Sequence, residues 1–403
     1  MEYKQIQELI DQLSHPRLSG TKEERNAEKR MAEVLNGFGL QTRMETFPVS
    51  MFRFYKETLT VDGKEIFCKA HGGCGCGSVE GELYHMPLAR EFLYPKCKGK
   101  IVILDDELTE ERYRKLAEHG ALAIITHKGG LDLKSDFIRR GELRYAPKLD
   151  VKIPTVCIRA EDFWQMIKNG ARTACITVEQ ETYEGRSYNL LAEIPGERAE
   201  SIVFASHTDS VEGVSGAYDN LSGCLCQLLI AEYFLAHKPK YTIKFLFCGS
   251  EERGLLGSKA YCLRHKSKLK KAVLNITLDM VGTVGGAFGG WACANKESQT
   301  LLEEFEKAQE LPMTVRYGLR STDVKPFVHL GIPAVSFARY SPDGIAPIHT
   351  VHDVPESISP EMIALDADII CKFTRQVMEA ETFPIPRTVD EKLKKQADDY
   401  IIG

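Results

Sequence analysis

A rhythm that begins at Leu190 constrains this chain more than anything else in it. The runs "LLAEIPG", "SIVFAS", "YTIKFLFCG", "AVLNITLDMVG" and "PAVSFARY" are apolar and of strand length, and helical stretches such as "SGCLCQLLIAEYFLAH" separate them. Apolar strands alternating with helices imply an α/β layered fold around a mixed, largely parallel central sheet. In such sheets functional groups gather in loops beyond the carboxyl ends of the strands.

Two other textures precede this rhythm. In "GTKEERNAEKRMAEVLNGFGL", Ala27, Met31, Val34 and Leu35 recur at helical spacing before glycines, so an amphipathic helix is expected there, followed by an extended "QTRMETFPV". From about Glu57 to Glu184 come shorter runs, "GELYHM", "GKIVILDD", "ALAIITH", "IPTVCI" and "TACITVEQ", with two short helical segments, "TEERYRKLAEHG" and "AEDFWQMIKNG". The expected organisation is therefore a main unit formed by residues 1–56 and 185–403, with a small α/β unit, residues 57–184, inserted into it.

The strands of the last segment end in residues that bind metals or move protons. "SIVFAS" runs into His207-Thr208-Asp209, "YTIKFLFCGS" into Glu251-Glu252, and "AVLNITL" into Asp279, while Asp219 opens the helix after the first strand and His349 lies in "IHTVHD" beyond the last. Singly, each has a plain structural role: Asp219 as a helix N-cap, His207 as a satisfied strand-end histidine, Glu251-Glu252 as a solvated turn. Their joint occurrence at the functional rim is what those roles leave unexplained.

Imidazole and carboxylate are the usual ligands of catalytic zinc, and a dinuclear centre needs one bridging carboxylate with about two further ligands on each ion. His207, Asp219, Glu252, Asp279 and His349 supply that set. Asp209, two residues from His207 along an extended chain, is placed to fix the imidazole tautomer. Glu251, beside a ligand, is placed to take a proton from an attacking water and return it to a leaving amine. The expected chemistry is amide hydrolysis.

Composition narrows the alternatives. With 52 basic and 57 acidic side chains the net charge is -5, which gives no global case for nucleic acid or an anionic membrane as partner. "KSKLKK" reads as a solvated helix end, and no apolar run reaches the roughly 18 residues that a membrane-spanning helix requires. Twelve cysteines sit mostly in apolar surroundings, as at Cys157, Cys248 and Cys371, and together with the acidic, polar start "MEYKQIQELIDQL" they suggest a cytoplasmic protein. In "CKAHGGCGCG", Cys68, His71, Cys74 and Cys76 lack the second cysteine pair of a zinc ribbon and are expected to be free groups in a glycine-rich turn. "GTVGGAFGG", residues 282–290, reads as a flexible active-site loop. No Gly-x-Ser-x-Gly elbow, His-Glu-x-x-His helix or phosphate loop is present.

The stretches "NLLAEIPG", "SHTDS", "GAYDNLSG", "FCGSEERGLLGSKAY", "LDMVG", "GIPAVSF" and "IHTVHDVPE" resemble the dinuclear-zinc aminopeptidases, the group that includes the bacterial leucyl and yeast vacuolar-type enzymes. "RLSGTKEERNAEKRMAEVLNGFGL" is similar to that group's leading helix, and "CKGKIVILDD" and "EHGALAIITH" to its inserted protease-associated domain. The resemblance implies a three-layer zinc-peptidase fold with two zinc ions, replaceable by cobalt or manganese. It implies His207 and Asp279 on one zinc, Glu252 and His349 on the other, and Asp219 between them, with Asp209 as orienting residue and Glu251 as general base; His352 is the second choice for the last ligand. Peptides cleaved at their N-terminal bond are the implied substrates.

One departure is "LRSTDVKPF", where Thr322-Asp323-Val324 stands in place of Ser-Asp-His in a loop that approaches the substrate pocket. Three other readings use the same scaffold: a carboxypeptidase or a deacylase of small amides, a glutaminyl cyclase with a single zinc, and a non-catalytic binding protein. A carboxypeptidase needs a cation for the terminal carboxylate, and Arg320 and Arg339 are the available arginines.

Overall fold

In the computed structural model of the chain, which describes residues 1–130, 140–143, 149–340 and 348–402, two amphipathic helices come first. α1 (Tyr3–Leu13) buries Ile6, Leu9, Ile10 and Leu13, and α2 (Lys22–Gly37) buries Ala27, Met31 and Leu35. Thr21 caps α2 by accepting a hydrogen bond from the Glu24 amide, the usual answer to the orphan donors of a first turn. The buried face of α2 also carries two carboxyl groups, Glu24 and Glu28, at positions where periodicity alone would place apolar side chains. β1 (Thr42–Val61) follows.

The chain divides into two units, one formed by Met1–Val49 with Arg186–Gly403 and the other by Ser50–Gly185. In the smaller unit, β1 turns at Asp62-Gly63, both in the left-handed region, into β2 (Lys64–Ile66), as an Asp-Gly hairpin requires. There follow β3 (Lys69–Ala70), β4 (Gly77–Met86), β5 (Ile101–Leu104), α3 (Glu110–Glu118), β6 (Ala123–Lys128), β7 (Thr155–Arg159), α4 (Ala160–Lys168) and β8 (Thr173–Ile194). β4, β5, β6 and β7 pair in parallel, with β8 antiparallel to β4 and β3 antiparallel to β7. Val102, Ile103, Ile124, Ile125, Val156 and Ile158 fill this unit's own core.

The larger unit continues from the end of β8 through β9 (Arg198–His207), α5 (Ser222–Ala236), β10 (Tyr241–Cys248), α6 (Leu256–Arg264), α7 (Lys266–Leu269), β11 (Ala272–Leu278) and β12 (Ala287–Ala292). α8 (Lys296–Ala308), β13 (Met313–Tyr317), α9 (Val324–His329), β14 (Ala334–Tyr340), α10 (Pro360–Glu379) and α11 (Glu391–Ile402) complete it. Its strands lie in the order β13-β12-β14-β11-β9-β10-β8, with a parallel centre of β14, β11, β9 and β10. Along β9, Ile202 and Phe204 join a core with residues of α1, α2, α5 and α10, whereas Val203 and Ala205 join another with Tyr261 and Cys262 of α6 and Phe327 of α9. Alternation of side chains across a strand thus gives the sheet two apolar faces, each covered by helices, and the three-layer expectation holds.

"GTVGGAFGG" is a correction. Residues 287–290 lie in β12, which pairs antiparallel with β14 and parallel with β13, so this half of the stretch is strand and not a flexible loop. Glycine suits it because the neighbours come close: a Cβ on Gly289 would sit 2.8 Å from Thr314 Oγ1.

Candidate metal centre

The chain leaves β9 for β10 on one side of it and later returns to β11 on the other. A sheet opens a crevice at such a switch point, beyond the carboxyl end of the shared strand. His207 is the last residue of β9, buried at 1% exposure and paired in register with Cys248 at the end of β10. Glu251 and Glu252 follow β10, and Asp279 follows β11 by one residue.

Asp219 arrives by a less regular route. It lies in an irregular turn, Ala217–Leu221, that leads into α5, and its peptide bond to Asn220 is cis. The Asn220 side chain ties this turn to the end of β11: Nδ2 donates to the Leu278 carbonyl at 2.9 Å, and Oδ1 accepts from the Met280 amide at 3.1 Å and the Gly223 amide at 3.0 Å. Gly223 has to be glycine for that approach, since a Cβ there would lie 2.3 Å from Asn220 Oδ1. Asp219 is thereby held beside Asp279.

The five sequence-nominated ligands form two groups that share Asp219. His207, Asp219 and Asp279 present donor atoms within 4.8 Å of one another, and so do Asp219, Glu252 and His349. Asp219 Oδ1 lies 3.1 Å from His207 Nε2, while Oδ2 lies 3.0 Å from His349 Nε2. Glu252 Oε1 is 2.8 Å from His349 Nε2, and Asp279 Oδ1 is 3.7 Å from His207 Nε2. His352 is exposed and belongs to neither group.

Charge is strongly organised here. Burial opposes ionisation of Asp219, yet hydrogen bonds from both histidines outweigh it and hold the carboxyl well below the usual range. Burial likewise works against charged His349, but Asp219 and Glu252 push it up to about 9, and His207 is raised by Glu251 and its three aspartate neighbours. Glu251 moves the other way from an ordinary carboxyl: burial, together with Glu252, Asp323 and Asp279, drives it well above the usual range against the pull of His207.

Asp209, nominated to orient the His207 imidazole, is also bonded to the turn after β10. Its carboxylate oxygens accept the amides of Glu251 and Glu252 at 2.9 and 3.1 Å, and His207 Nδ1 lies 3.5 Å from Oδ1 but 3.2 Å from the Asp209 carbonyl oxygen. Ser250, at φ 57, gives its amide to Glu24 Oε1 at 3.2 Å, so three successive amides of this turn end on buried carboxyl groups.

The residues fit a pair of metal ions. Asp219 directs one oxygen to each histidine, the donors are imidazoles and carboxylates, and Asp279 Oδ1 is buried without a hydrogen bond. The profile of peptidase family M28 matches residues 189–374, which include the whole set. The segment that carries the site is therefore similar to peptidase family M28.

Similarity to known proteins extends over most of the chain's length. It is 26% identical over 422 residues to Aminopeptidase YwaD of Bacillus subtilis, covering 98% of this chain and 88% of that one. It is 27% identical over 368 residues to Carboxypeptidase Q of Bos taurus, covering 83% and 76%. The crystal structure of BSAP, a zinc aminopeptidase from Bacillus subtilis, superimposes with a TM-score of 0.78 at 25% identity, covering 96% of this chain and 99% of that one.

Several residues at the centre carried no signal of their own in the sequence. Asp353 accepts the amides of Tyr218 and Asp219 at 2.8 and 3.1 Å, and burial raises its carboxyl to about 6. It sits inside "IHTVHDVPE", where the histidines drew attention instead. Asp323, expected in a loop but placed immediately before α9, accepts a hydrogen bond from Ser258, and burial raises it to about 6.

Of the two arginines nominated for a terminal carboxylate, Arg339 is engaged elsewhere, whereas Arg320 lies at the centre itself, its Nη2 3.7 Å from Asp279 Oδ2. Arg339 is bound to Asp366, with Nε 3.2 Å from both oxygens, and to the Gly286 carbonyl. Arg320 donates from Nη1 to the Asp279 carbonyl and to Ser336 Oγ, both at 3.0 Å, and lies 5.2 Å from the Trp291 ring centroid.

Proposed function

We propose that this protein is a zinc-dependent aminopeptidase with two ions per chain that removes N-terminal residues from peptides. The observation that carries the reading is the shared Asp219, one oxygen facing each histidine group, in a rim of carboxylates that suits a free ammonium group better than a terminal carboxylate. His207 and Asp279 would hold one ion and Glu252 and His349 the other, with Asp219 between. Zinc, when bound, supplies Lewis-acid polarisation of the scissile carbonyl and acidifies a water toward neutral pH; cobalt or manganese suits the same donors.

Glu251 is the general base. It follows β10 beside Glu252, where a carboxylate can take a proton from an attacking water and deliver it to the leaving amine. Asp209 keeps it in place through the Glu251 amide. Substrate positioning falls to the acidic surroundings of the centre, whose charge favours the α-ammonium group.

The smaller unit is a protease-associated-type module in this reading, supported by "GKIVILDD" and "ALAIITH" supplying the adjacent parallel strands β5 and β6. The cytosol is its compartment, supported by twelve cysteines that all remain free thiols. Among the described residues no helix is long and apolar enough to cross a membrane.

The test pairs zinc analysis of the purified protein with hydrolysis of aminoacyl chromogenic amides and their N-acetylated twins. Two zincs per chain with turnover of free amines alone is the expected result. Turnover of the blocked twins alone would transfer the site to a deacylase or carboxypeptidase, and a protein with neither metal nor turnover would be a scaffold.

A further inference from the structure

Arg17, between α1 and α2, is wholly buried at 0% exposure, and its guanidinium sits among backbone carbonyls. Nε donates to Thr208 O at 2.8 Å, Nη2 to Gly216 O at 2.9 Å, and Nη1 to Leu13 O, His15 O and Ser215 O at 2.7, 2.9 and 2.6 Å. The backbone adds to this: the Arg17 amide donates to Ser210 Oγ at 2.9 Å, and the Ser210 amide donates to Arg17 O at 3.1 Å. Gly216, at φ 57, leaves room for the fork, since a Cβ there would lie 3.3 Å from Arg17 Nη2.

A cation withdrawn from water carries a large desolvation cost, and hydrogen bonds to carbonyls offset only part of it. What those bonds accomplish is specific. Thr208 follows His207, and Ser215 and Gly216 enter the turn that presents Asp219. One planar group therefore clamps both ends of the segment that joins two members of the same donor group. Asp209, Asp219 and Asp353 lie close enough for their charges to favour the guanidinium, so it also counters their mutual repulsion.

We propose that Arg17 is a positioning residue of the metal centre, fixing the span from Thr208 to Gly216 so that His207 and Asp219 meet at the geometry one ion requires. This rests on the two-ion reading above. Arg17 touches neither substrate nor metal; its effect passes through the two ligands, and it falls on the ion held by His207 and Asp279 more than on the ion held by Glu252 and His349.

The test is stepwise removal of zinc from the full-length protein by a chromogenic chelator, with His207→Ala and His349→Ala assigning the two steps. Arg17→Lys keeps the charge but not the planar fork, and it is expected to weaken the His207 step about 10- to 100-fold, as loss of an outer partner of a metal ligand typically does, while changing the other step little. Arg17→Gln, which drops the charge as well, is expected to do at least as much; if it does not fold, the lysine variant decides. In the His207→Ala background Arg17→Lys should add no further loss. Equal weakening of both steps together with a lower Tm would reduce Arg17 to a structural brace and overturn the inference, as would two unmoved steps or a fully additive double variant. A wild-type protein that binds no zinc would instead overturn the two-ion reading on which this one stands.

Discussion

Two regions of this chain gather potential metal ligands, one in a short glycine-rich stretch and one from distant positions, and they end differently. Cys68, His71, Cys74 and Cys76 lie within nine residues of one another in the smaller unit, whereas His207, Asp219, Glu252, Asp279 and His349 are spread over 143 positions. Only the dispersed set converges. In the compact set, His71 Nε2 pairs with Thr126 Oγ1 at 2.8 Å, the Cys74 thiol donates to the Thr155 carbonyl at 3.5 Å, and Cys76 is exposed. Burial pushes the Cys68 and Cys74 thiols up to about 12, which keeps them protonated and poor as ligands. Ligand chemistry thus follows the geometry that separate strand ends impose, and nearness in sequence decides little.

The sharpest way to break this contrast is Asp219→Ala. Losing the shared carboxylate should remove most bound zinc and with it turnover, measured by metal analysis of the purified variant beside wild type; retention of full zinc would mean that the convergence does not bind metal through Asp219. Glu251→Gln should separate chemistry from binding, with kcat falling about 10²- to 10⁴-fold at unchanged zinc content.

Asp353→Asn should act more mildly. It leaves the ligands intact but weakens the grip on the Tyr218 and Asp219 amides, and about 10-fold weaker zinc retention under chelator competition is expected, with no detectable loss speaking against a role for this residue. In the other region, Cys74→Ala should leave zinc content and kcat/KM at wild-type values, and any drop in zinc would erase the distinction between the two sets.

A stability comparison away from both sets completes the series. Burial raises the Glu45 carboxyl, but hydrogen bonds from His265 and Arg264 more than compensate, so it is held below its ordinary value. A depressed carboxyl stabilises the fold above its unfolded pKa, and the contribution is lost as pH falls through the folded value. Glu45→Gln should therefore lower Tm at pH 7 and have progressively less effect in acid, with about 1.5–3 kcal/mol at stake in the charged hydrogen bonds; an effect that grows on acidification would contradict this.

What could be read in the sequence was whatever leaves a local trace. "SIVFAS" and "AVLNITL" announce strands because they are short, mostly apolar runs, and residues just beyond such runs lie at the sheet rim, which is how His207 and Asp279 came to be singled out. β12 was missed because Gly289 and Gly290 have no side chains to alternate, and the strand is recognisable only by what packs against it. Asp353, Glu24 and Arg17 were missed for a different reason: each acts on backbone amides or carbonyls distant in the chain, and no spacing rule encodes which amide a carboxylate will find.

The two bonds from Asp209 to the amides of Glu251 and Glu252 have a consequence for how such an enzyme can change. Because one anchor holds both the proposed base and a proposed ligand, a shift that retunes one disturbs the other. Variation in substrate preference is left to parts of the rim not tied to that anchor, such as the stretch "STDVKPF" that leads into α9. A screen for altered specificity would gain most by randomising there and leaving the anchored turn alone.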